Sequence, residues 1–173
     1  MTQVGNPQIR SKAKRVSKPS SPQTKKLVKN LVDSMRYHNL VGMAAPQIGS
    51  NQRVFVMEIR KTVYRKSLAR KREPLRVAIN PVITYHSKAK ELGFEGCGSV
   101  ANSNLFGKVP RHKEVTLKAT DQNGQDFVLK AKGLLYRIIQ HEIDHLDGKV
   151  FLDRMTETKS LMSRDEYIKK VNK

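Results

Sequence analysis

Five consecutive residues in the last third of the chain could bind a metal ion and carry out acid–base chemistry. Residues 141–145 read His-Glu-Ile-Asp-His, the pattern H-E-x-x-H. On a helix, residues four positions apart lie on one face, so His141 and His145 can reach the same metal ion. Glu142 lies one step round the helix, where its carboxylate can hold a metal-bound water and accept a proton from it.

The residues before this motif predict that the helix is buried. Leu134, Leu135, Ile138 and Ile139 follow Gly133 at helical spacing. Two histidines and a glutamate without a metal would be unstable in such an apolar setting, because buried polar groups need partners. The competing interpretation is an exposed polar turn with two unrelated histidines, and the apolar run argues against it.

A third metal ligand must come from elsewhere in the sequence. No histidine follows His145, and Glu157 and Glu166 lie in a polar segment that we expect to be exposed. The single cysteine, Cys97, lies between two glycines, which allow a close approach of the backbone. A thiolate and two imidazoles leave one coordination position open, as in a catalytic site. The alternative for Cys97 is a buried inert thiol, although flanking glycines make poor core material.

A segment of small residues, 41–49, could bring backbone close to a metal or a substrate. It reads Val-Gly-Met-Ala-Ala-Pro-Gln-Ile-Gly, and we predict a tight loop. The amide of Gln47 could donate a hydrogen bond to a developing oxyanion. Taken alone this signal is weak, since a tight surface turn would explain it equally well.

Breaker residues and apolar periodicity predict the helices that position these groups. Ser21 as cap and Pro22 in the first turn begin an amphipathic helix over about 22–38. The helix that carries the motif ends near Gly148. A capping-box pattern that begins at Ser163 predicts a short C-terminal helix.

Strands are predicted before the motif helix. Residues 54–59 and 77–85 have the composition of strands, with Pro81 at an edge or a bulge. Residues 115–119 and 127–129 are separated by Asp-Gln-Asn-Gly, which predicts a hairpin. Strands followed by a buried helix favour an α+β fold over a doubly wound sheet.

Three segments together resemble the peptide deformylases. They read GMAAPQIG at 42–49, EGCGS at 95–99 and QHEIDHLDG at 140–148, and they occur in the family's order. The resemblance extends to the flanking triplets INP, VPR and FLD and spans about residues 3–155. It implies one catalytic domain over 1–155, with antiparallel or mixed sheets packed around the motif helix, followed by a basic extension at 156–173.

The resemblance implies removal of the formyl group from the N-formylmethionine of nascent polypeptides, with release of formate. The metal ligands that it implies are Cys97, His141 and His145. The family typically works with Fe(II), while zinc, nickel or cobalt can occupy the site.

Roles for other residues also follow from the resemblance. Glu142 would act as the general base and then as the acid for the leaving amine, while Gln47 and the backbone N–H of Gly98 would stabilise the tetrahedral oxyanion. The methionine side chain needs an apolar pocket, for which ordinary core packing is the alternative role of each candidate. The candidate substrate-contacting residues are Val41, Gly42, Leu134 and Ile138.

The sequence departs from the family's pattern at several positions. Leu40 stands where the family usually has glycine, and Gly98 stands where it often has leucine. Residues 100–108 form a slightly longer segment than in many members, and no arginine lies near Asn104 to match one that binds substrate backbone in some of them. We expect a looser loop and a differently shaped cleft.

Two other functions fit parts of the pattern. A peptidase of the H-E-x-x-H type would cleave internal peptide bonds and tolerate Cys97→Ser. A non-enzymatic basic binding module with a structural metal would need a fourth protein ligand, and His38, His86 and His112 are most simply surface residues.

The charge of the chain is strongly positive and unevenly distributed. The chain contains 34 Lys and Arg and 15 Asp and Glu, which gives a net charge of +19. Residues 1–30 and 60–76 each hold eight basic residues, and we predict that 60–76 is a loop or an exposed hairpin. The charge indicates either solvated surface or contact with a polyanion. We hypothesise that a basic segment, including 169–173, helps docking on the ribosome, where formylated chains emerge.

The cellular setting follows from what the sequence lacks. A single cysteine excludes an intramolecular disulfide, and no apolar run approaches the roughly 18–20 residues that span a bilayer. We therefore expect no membrane contact and a cytoplasmic enzyme. The family-like region begins near residue 3, so no presequence is expected.

Overall fold

Two antiparallel sheets and the helix that carries the H-E-x-x-H motif form the framework of the molecule. The computed structural model describes residues 1–62 and 72–171. The larger sheet has five strands in the order β1-β2-β3-β6-β7, and the smaller has three in the order β4-β5-β8. Their bounds are β1 Gly42–Ala44, β2 Val54–Ile59, β3 Glu73–His86, β4 Lys90–Gly96, β5 Leu105–His112, β6 Val115–Thr120, β7 Asp126–Ala131 and β8 Met162–Ser163. The helices are α1 Pro7–Arg10, α2 Pro22–Tyr37, α3 Leu134–Leu146 and α4 Arg164–Val171.

Helix α2 covers one face of the larger sheet, as the apolar period predicts. Its first turn contains Pro22, and the hydroxyl of Ser21 accepts a hydrogen bond from the N–H of Thr24. The buried side chains of α2 pack against strand residues such as Val54 and Ile79. The predicted helix over 22–38 is confirmed to within one residue at its end.

Helix α3 covers the opposite face of the same sheet and also contacts β5 of the smaller sheet. Ile139 and Leu146 are fully buried and pack with Phe55 and Leu117. A polar motif on this helix is therefore held inside the molecule, between the two sheets. This arrangement confirms the α+β class, and the ladders between described strands are all antiparallel.

Strand β3 tolerates Pro81 because the ladder is irregular there. The pairing of β3 with β6 shifts register between Ile79 and Val82. Asn80 adopts a left-handed φ of 54°. Its side-chain amide accepts a hydrogen bond from the N–H of Val16 and donates one to the carbonyl of Val16. Pro81 therefore lies at a bulge in a central strand, one of the two expected settings.

The expected tight loop at 41–49 is wrong in part. Gly42–Ala44 forms β1, which pairs with residues 55–57 of β2, and only Ala45–Ile48 turns, as a short 3₁₀ helix. The strand was not predicted because β1 consists of residues with small or flexible side chains, which give no β-strand pattern. It contributes to the sheet mainly through backbone hydrogen bonds.

The predicted β6–β7 hairpin and the C-terminal helix are confirmed. The basic segment 60–76 falls largely on residues 63–71, outside the described residues, while Glu73–Arg76 belongs to β3. Asn172 and Lys173 also lie outside the described residues. None of the helices in the described ranges is both long and apolar enough to cross a membrane.

Candidate active site

Cys97 and the two motif histidines converge between α3 and the loop that follows β4. Their sulfur and nitrogen atoms all lie within 4.8 Å of one another, and Cys97 Sγ is 3.1 Å from His145 Nε2. Cys97 and His145 are buried, and His141 is partly buried. Over residues 1–62 and 72–171, no fourth His, Cys, Asp or Glu belongs to this group. The structure therefore offers three ligands and no closed structural site.

The chemistry of these donors fits a divalent metal ion. Burial raises the pKa of Cys97, but the neighbouring His145 and His141 outweigh it and lower the pKa to about 5. The sulfur is therefore a thiolate at neutral pH, the form that binds metals. Glu142 Oε2 is buried beside the group and has no hydrogen-bond partner among the described residues, so it can face a bound ligand.

Glu95 orients His141, a role that the sequence analysis did not assign. Nδ1 of His141 donates to Oε2 of Glu95 at 2.9 Å, which turns the other ring nitrogen towards Cys97. Burial would raise the pKa of Glu95, yet hydrogen bonds from His141 and Arg111 hold it well below its ordinary value. Glu95 therefore remains a carboxylate, and it fixes the tautomer of His141.

Arg111 connects this carboxylate to the motif helix. It makes two hydrogen bonds of 2.9 Å to Glu95 and one of 2.5 Å to Asp144. Arg137 and Arg154 complete the charge pairing, Arg137 on Glu95 and Arg154 on Asp144. These ions are all hydrogen-bonded, and all but Arg154 are largely buried, so they hold β4, β5 and α3 in one register.

Glu142 faces β1 at a position where only glycine fits. A Cβ at Gly42 would lie 2.3 Å from Glu142 Oε1 and 3.0 Å from Cγ2 of Ile138. Burial raises the pKa of Glu142 to about 7, and the nearby His141 and His145 offset part of that rise. A carboxyl group with a pKa near neutrality can both accept and donate a proton.

Gln47 presents its amide N–H₂ to the same site. Its Oε1 accepts from the N–H of Ala44 at 2.8 Å, and this bond fixes the orientation of the amide. Its Nε2 then lies 3.3 Å from Ser99 Oγ and 3.8 Å from Cys97 Sγ. The short 3₁₀ helix after β1 is thus what places a donor beside the thiolate.

The loop after Cys97 contains three consecutive residues in the left-handed region. Ala101, Asn102 and Ser103 have φ of 48°, 51° and 64°. The N–H of Ser103 donates to the carbonyl of Cys97 at 3.2 Å. Arg164 of α4 donates to the carbonyls of Asn102 and Ser103 at 3.0 Å, so the C-terminal helix supports the loop that carries the thiolate.

A cavity of about 80 Å³ lies in front of these groups, and we call it the active-site cavity. Nine of the ten residues selected from the sequence line it, and His145 lies buried directly behind Cys97. The structure therefore brings together every residue that the sequence analysis selected. The nine are Val41, Gly42, Gln47, Cys97, Gly98, Leu134, Ile138, His141 and Glu142.

Comparison with known proteins agrees with this geometry. The family model for polypeptide deformylase matches residues 1–161. A peptide deformylase of Dictyoglomus thermophilum is 38% identical over 154 residues, covering 89% of this chain and 90% of the relative.

Solved structures are similar as well. The class I type b peptide deformylase of Acinetobacter baumannii, bound to Met-Ala-Ser, superposes with a TM-score of 0.80 at 30% identity, covering 89% of this chain and 96% of that one. The peptide deformylase of Thermotoga maritima superposes with a TM-score of 0.79 at 30% identity, covering 91% and 97%. The chain therefore belongs to the polypeptide deformylase family, whose members are metal-dependent enzymes that remove the formyl group from the amino terminus of nascent polypeptides.

Proposed function

We propose that this chain hydrolyses the formyl amide of N-formylmethionyl peptides in the active-site cavity, with a metal ion held by Cys97, His141 and His145. The observation that carries the proposal is the convergence of a thiolate, two imidazoles and an unpartnered buried carboxylate oxygen on one cavity. When bound, the metal would supply Lewis acidity, which polarises the formyl carbonyl and lowers the pKa of a water molecule.

Glu142 is the proposed proton carrier. Its carboxylate accepts a proton as water attacks the formyl carbon, and it returns that proton to the amine nitrogen when the C–N bond breaks. The products are formate and a free amino terminus. The pKa of about 7 supports both steps, because the two protonation states are then close in free energy.

Gln47 and the backbone N–H of Gly98 are the proposed oxyanion donors. The amide of Gln47 is oriented by Ala44, so its N–H₂ needs no rearrangement when negative charge develops on the carbonyl oxygen. Gly98 lines the same cavity next to Cys97. Preorganised donors of this kind are each worth about 10²–10³ in kcat.

The methionine side chain is proposed to occupy the apolar part of the cavity. Val41 lines one side, and Leu134 and Ile138 of α3 line another. Leu134 and Ile138 lie on the same helix as His141 and Glu142. The side chain that is recognised and the amide that is hydrolysed would therefore be positioned by one rigid element.

Formate release tests this function. Iron-loaded protein prepared without oxygen should release formate from formyl-Met-Ala-Ser, and Glu142→Ala should lower kcat by at least 10², the order of a lost general base. Glu157→Ala, at an exposed glutamate outside the cavity, is the matched control. Absence of formate release by the unsubstituted protein would overturn the proposal.

We also propose Fe(II) as the metal in the cell, with zinc, nickel or cobalt able to occupy the same ligands. One thiolate and two imidazoles suit borderline divalent ions of this series. Metal analysis of protein purified without oxygen should find mainly iron. Recovery of zinc alone under those conditions would contradict the assignment.

The basic N-terminal region supports a further proposal, docking on the ribosome in the cytoplasm. Six cations of this region are exposed and form no ion pair with the described residues. They are Lys12, Lys14, Arg15, Lys18, Lys25 and Lys26. Co-sedimentation with ribosomes should weaken steeply as salt rises. Binding that is absent, or that does not respond to salt, would contradict the proposal.

A further inference from the structure

The first four residues, Met1–Val4, lie across the two loops that carry the proposed oxyanion donors. The N–H of Thr2 donates to the carbonyl of Gln47 at 2.8 Å, and the N–H of Val4 donates to the carbonyl of Ser99 at 2.8 Å. We call these residues the N-terminal segment. It joins loops that are about fifty positions apart in the chain, so its place beside the site is defined by backbone hydrogen bonds.

Gln3 adds two side-chain contacts to the same loop. Its Nε2 donates to the carbonyl of Gly98 at 2.9 Å, and its Oε1 accepts from the N–H of Asn102 at 3.1 Å. Both polar groups of this amide are therefore used on the Cys97 loop. The backbone bonds of Thr2 and Val4 and the side-chain bonds of Gln3 therefore fix the position of the N-terminal segment.

The Met1 side chain fills the space above Gly98. A Cβ at Gly98 would lie 2.3 Å from Met1 Sδ and 2.6 Å from its Cε. The Met1 sulfur is also 4.0 Å from Nε2 of Gln47. Met1 therefore stands beside both proposed oxyanion donors, in the place that a larger side chain at position 98 would occupy.

A second cavity of about 290 Å³, which we call the outer chamber, adjoins the active-site cavity. The two cavities share Leu40, Gly96 and Gly98 in their linings, so they lie side by side. Met1 forms part of the wall of the outer chamber. Phe106 and Tyr167 stack on each other at a centroid distance of 4.3 Å and also line it.

We propose that Met1 is a specificity-determining residue, which limits the size of the substrate residue that follows formyl-methionine. The inference rests on the proposed function. With the formyl group beside Glu142 and the methionine side chain in the smaller cavity, the outer chamber is the adjoining space into which the peptide would continue. A flexible thioether at its wall sets how much room the next side chain has.

Substitution at position 1 tests the proposal through a ratio of rates. Met1→Ala and Met1→Leu can be produced as fusion proteins. A protease then cleaves the fusion so that residue 1 becomes the amino terminus. The readout is kcat/KM for formyl-Met-Phe-Ser divided by that for formyl-Met-Ala-Ser. Met1→Ala should raise this ratio about tenfold, the lower end of the effect of one methylene in an apolar pocket, because the opened wall favours the bulky residue. Met1→Leu, which restores apolar volume, should return it towards the starting value, and an unchanged ratio in Met1→Ala overturns the proposal.

Gly98→Ala provides a second, convergent test. The new Cβ would displace the far end of the Met1 side chain rather than the backbone. Gly98→Ala should therefore shift the ratio in the same direction as Met1→Ala, and the double variant should shift it no further, because both remove the same contact. Additive shifts would contradict the proposal.

A measurement without turnover separates this proposal from the proposed function. In zinc-loaded protein with ¹³C-labelled methionine methyl groups, the Met1 signal is the one lost in Met1→Ala. The probe Met-Phe-Ser should shift that signal, and methionines away from the site provide internal references among the six. A shift of the Met1 signal in protein that releases no formate from formyl-Met-Ala-Ser would refute the proposed function, and the specificity role of Met1 with it. Formate release with an unmoved Met1 signal would refute the specificity role of Met1 and leave the proposed function intact.

Discussion

Gly42→Ala is the sharpest test of how the fold positions the proposed proton carrier. The added methyl group would lie 2.3 Å from Glu142 Oε1 and 2.9 Å from its Cδ, where an ordinary contact begins near 3.4 Å. Both atoms belong to the carboxyl end of the Glu142 side chain, which is buried and so has little free space into which it can move. The carboxylate must therefore retreat by about 1.1 Å from its present position.

A displacement of about 1 Å at a reacting group lowers the rate about 100-fold. We expect kcat for formyl-Met-Ala-Ser to fall by about that factor. The KM should change by less than kcat, because the methyl group would lie 2.3 Å from Glu142 Oε1 but 3.0 Å from Cγ2 of Ile138 in the apolar wall. Metal content should also be unchanged, since the three atoms nearest to the new methyl group belong to Glu142 and Ile138 and not to Cys97, His141 or His145. The assay is steady-state formate release with metal analysis of the same samples.

Gly107→Ala is the matched control. Its Cβ would also be crowded, at 2.7 Å from Cε of Met155, but that atom is the end of a flexible side chain and can move. This variant should keep kcat close to that of the unsubstituted protein. If Gly42→Ala retains full kcat with its metal bound, the reasoning that Gly42 makes room for Glu142 is wrong.

Three further predictions concern the buried ions behind the site. Glu95→Gln should lower metal affinity about 10–100-fold, measured by chelator competition, because His141 loses its charged partner; affinity equal to that of the unsubstituted protein would contradict this role. Arg111→Met should lower the free energy of unfolding in urea by about 3 kcal/mol, the lower end for a broken buried pair, since Arg137 and Arg154 still neutralise the carboxylates; an unchanged urea midpoint would contradict it. Burial raises the pKa of Glu95 and Asp144, but hydrogen bonds outweigh it and place both pKa values below their ordinary range. The bonds come from His141 and Arg111 to Glu95, and from Arg154 and Arg111 to Asp144. The stability that the two carboxylates contribute is therefore present at neutral pH and lost as the pH falls below about 4.5. Urea titrations from pH 7 to pH 3 should show this loss, and a flat profile would refute it.

The metal ligands could be predicted from the sequence because their signal is local or compositional. The spacing of His141 and His145 is a property of one helix, and α3 forms where the apolar period predicts it. Cys97 could be selected because it is the single thiol and lies between glycines. Neither inference needs knowledge of the contacts between distant segments.

The smaller sheet was not predicted, because its strands lack an apolar alternation. In β5 the inward positions are Gly107, Val109 and Arg111, so a glycine and a charged residue occupy core positions. Arg111 is buried because Glu95 and Asp144 surround it, and those partners lie on β4 and α3. A charged residue whose partners are distant in the sequence is predicted to be exposed, because nothing near it in the sequence indicates those partners.

The position of Met1 could not be predicted for a related reason. Its contacts are with Gly98 and Gln47, and no local pattern in the first residues indicates them. The glycine at 98 does predict an empty space, since it replaces a larger side chain in the family's usual pattern. Which side chain fills that space is a property of the tertiary structure alone.

The left-handed turn at Ala101–Ser103 links the metal site to the order in which the protein folds and opens. Its backbone conformation costs about 1–3 kcal/mol at each non-glycine residue, and it is held by Gln3, 99 positions earlier, and by Arg164, 62 positions later than Asn102. Contacts between such distant segments form late, after local helices and hairpins. The Cys97 loop should therefore be the last part of the site to close and among the first to open. Escape of the metal would then follow this local opening, at a rate far above that of global unfolding.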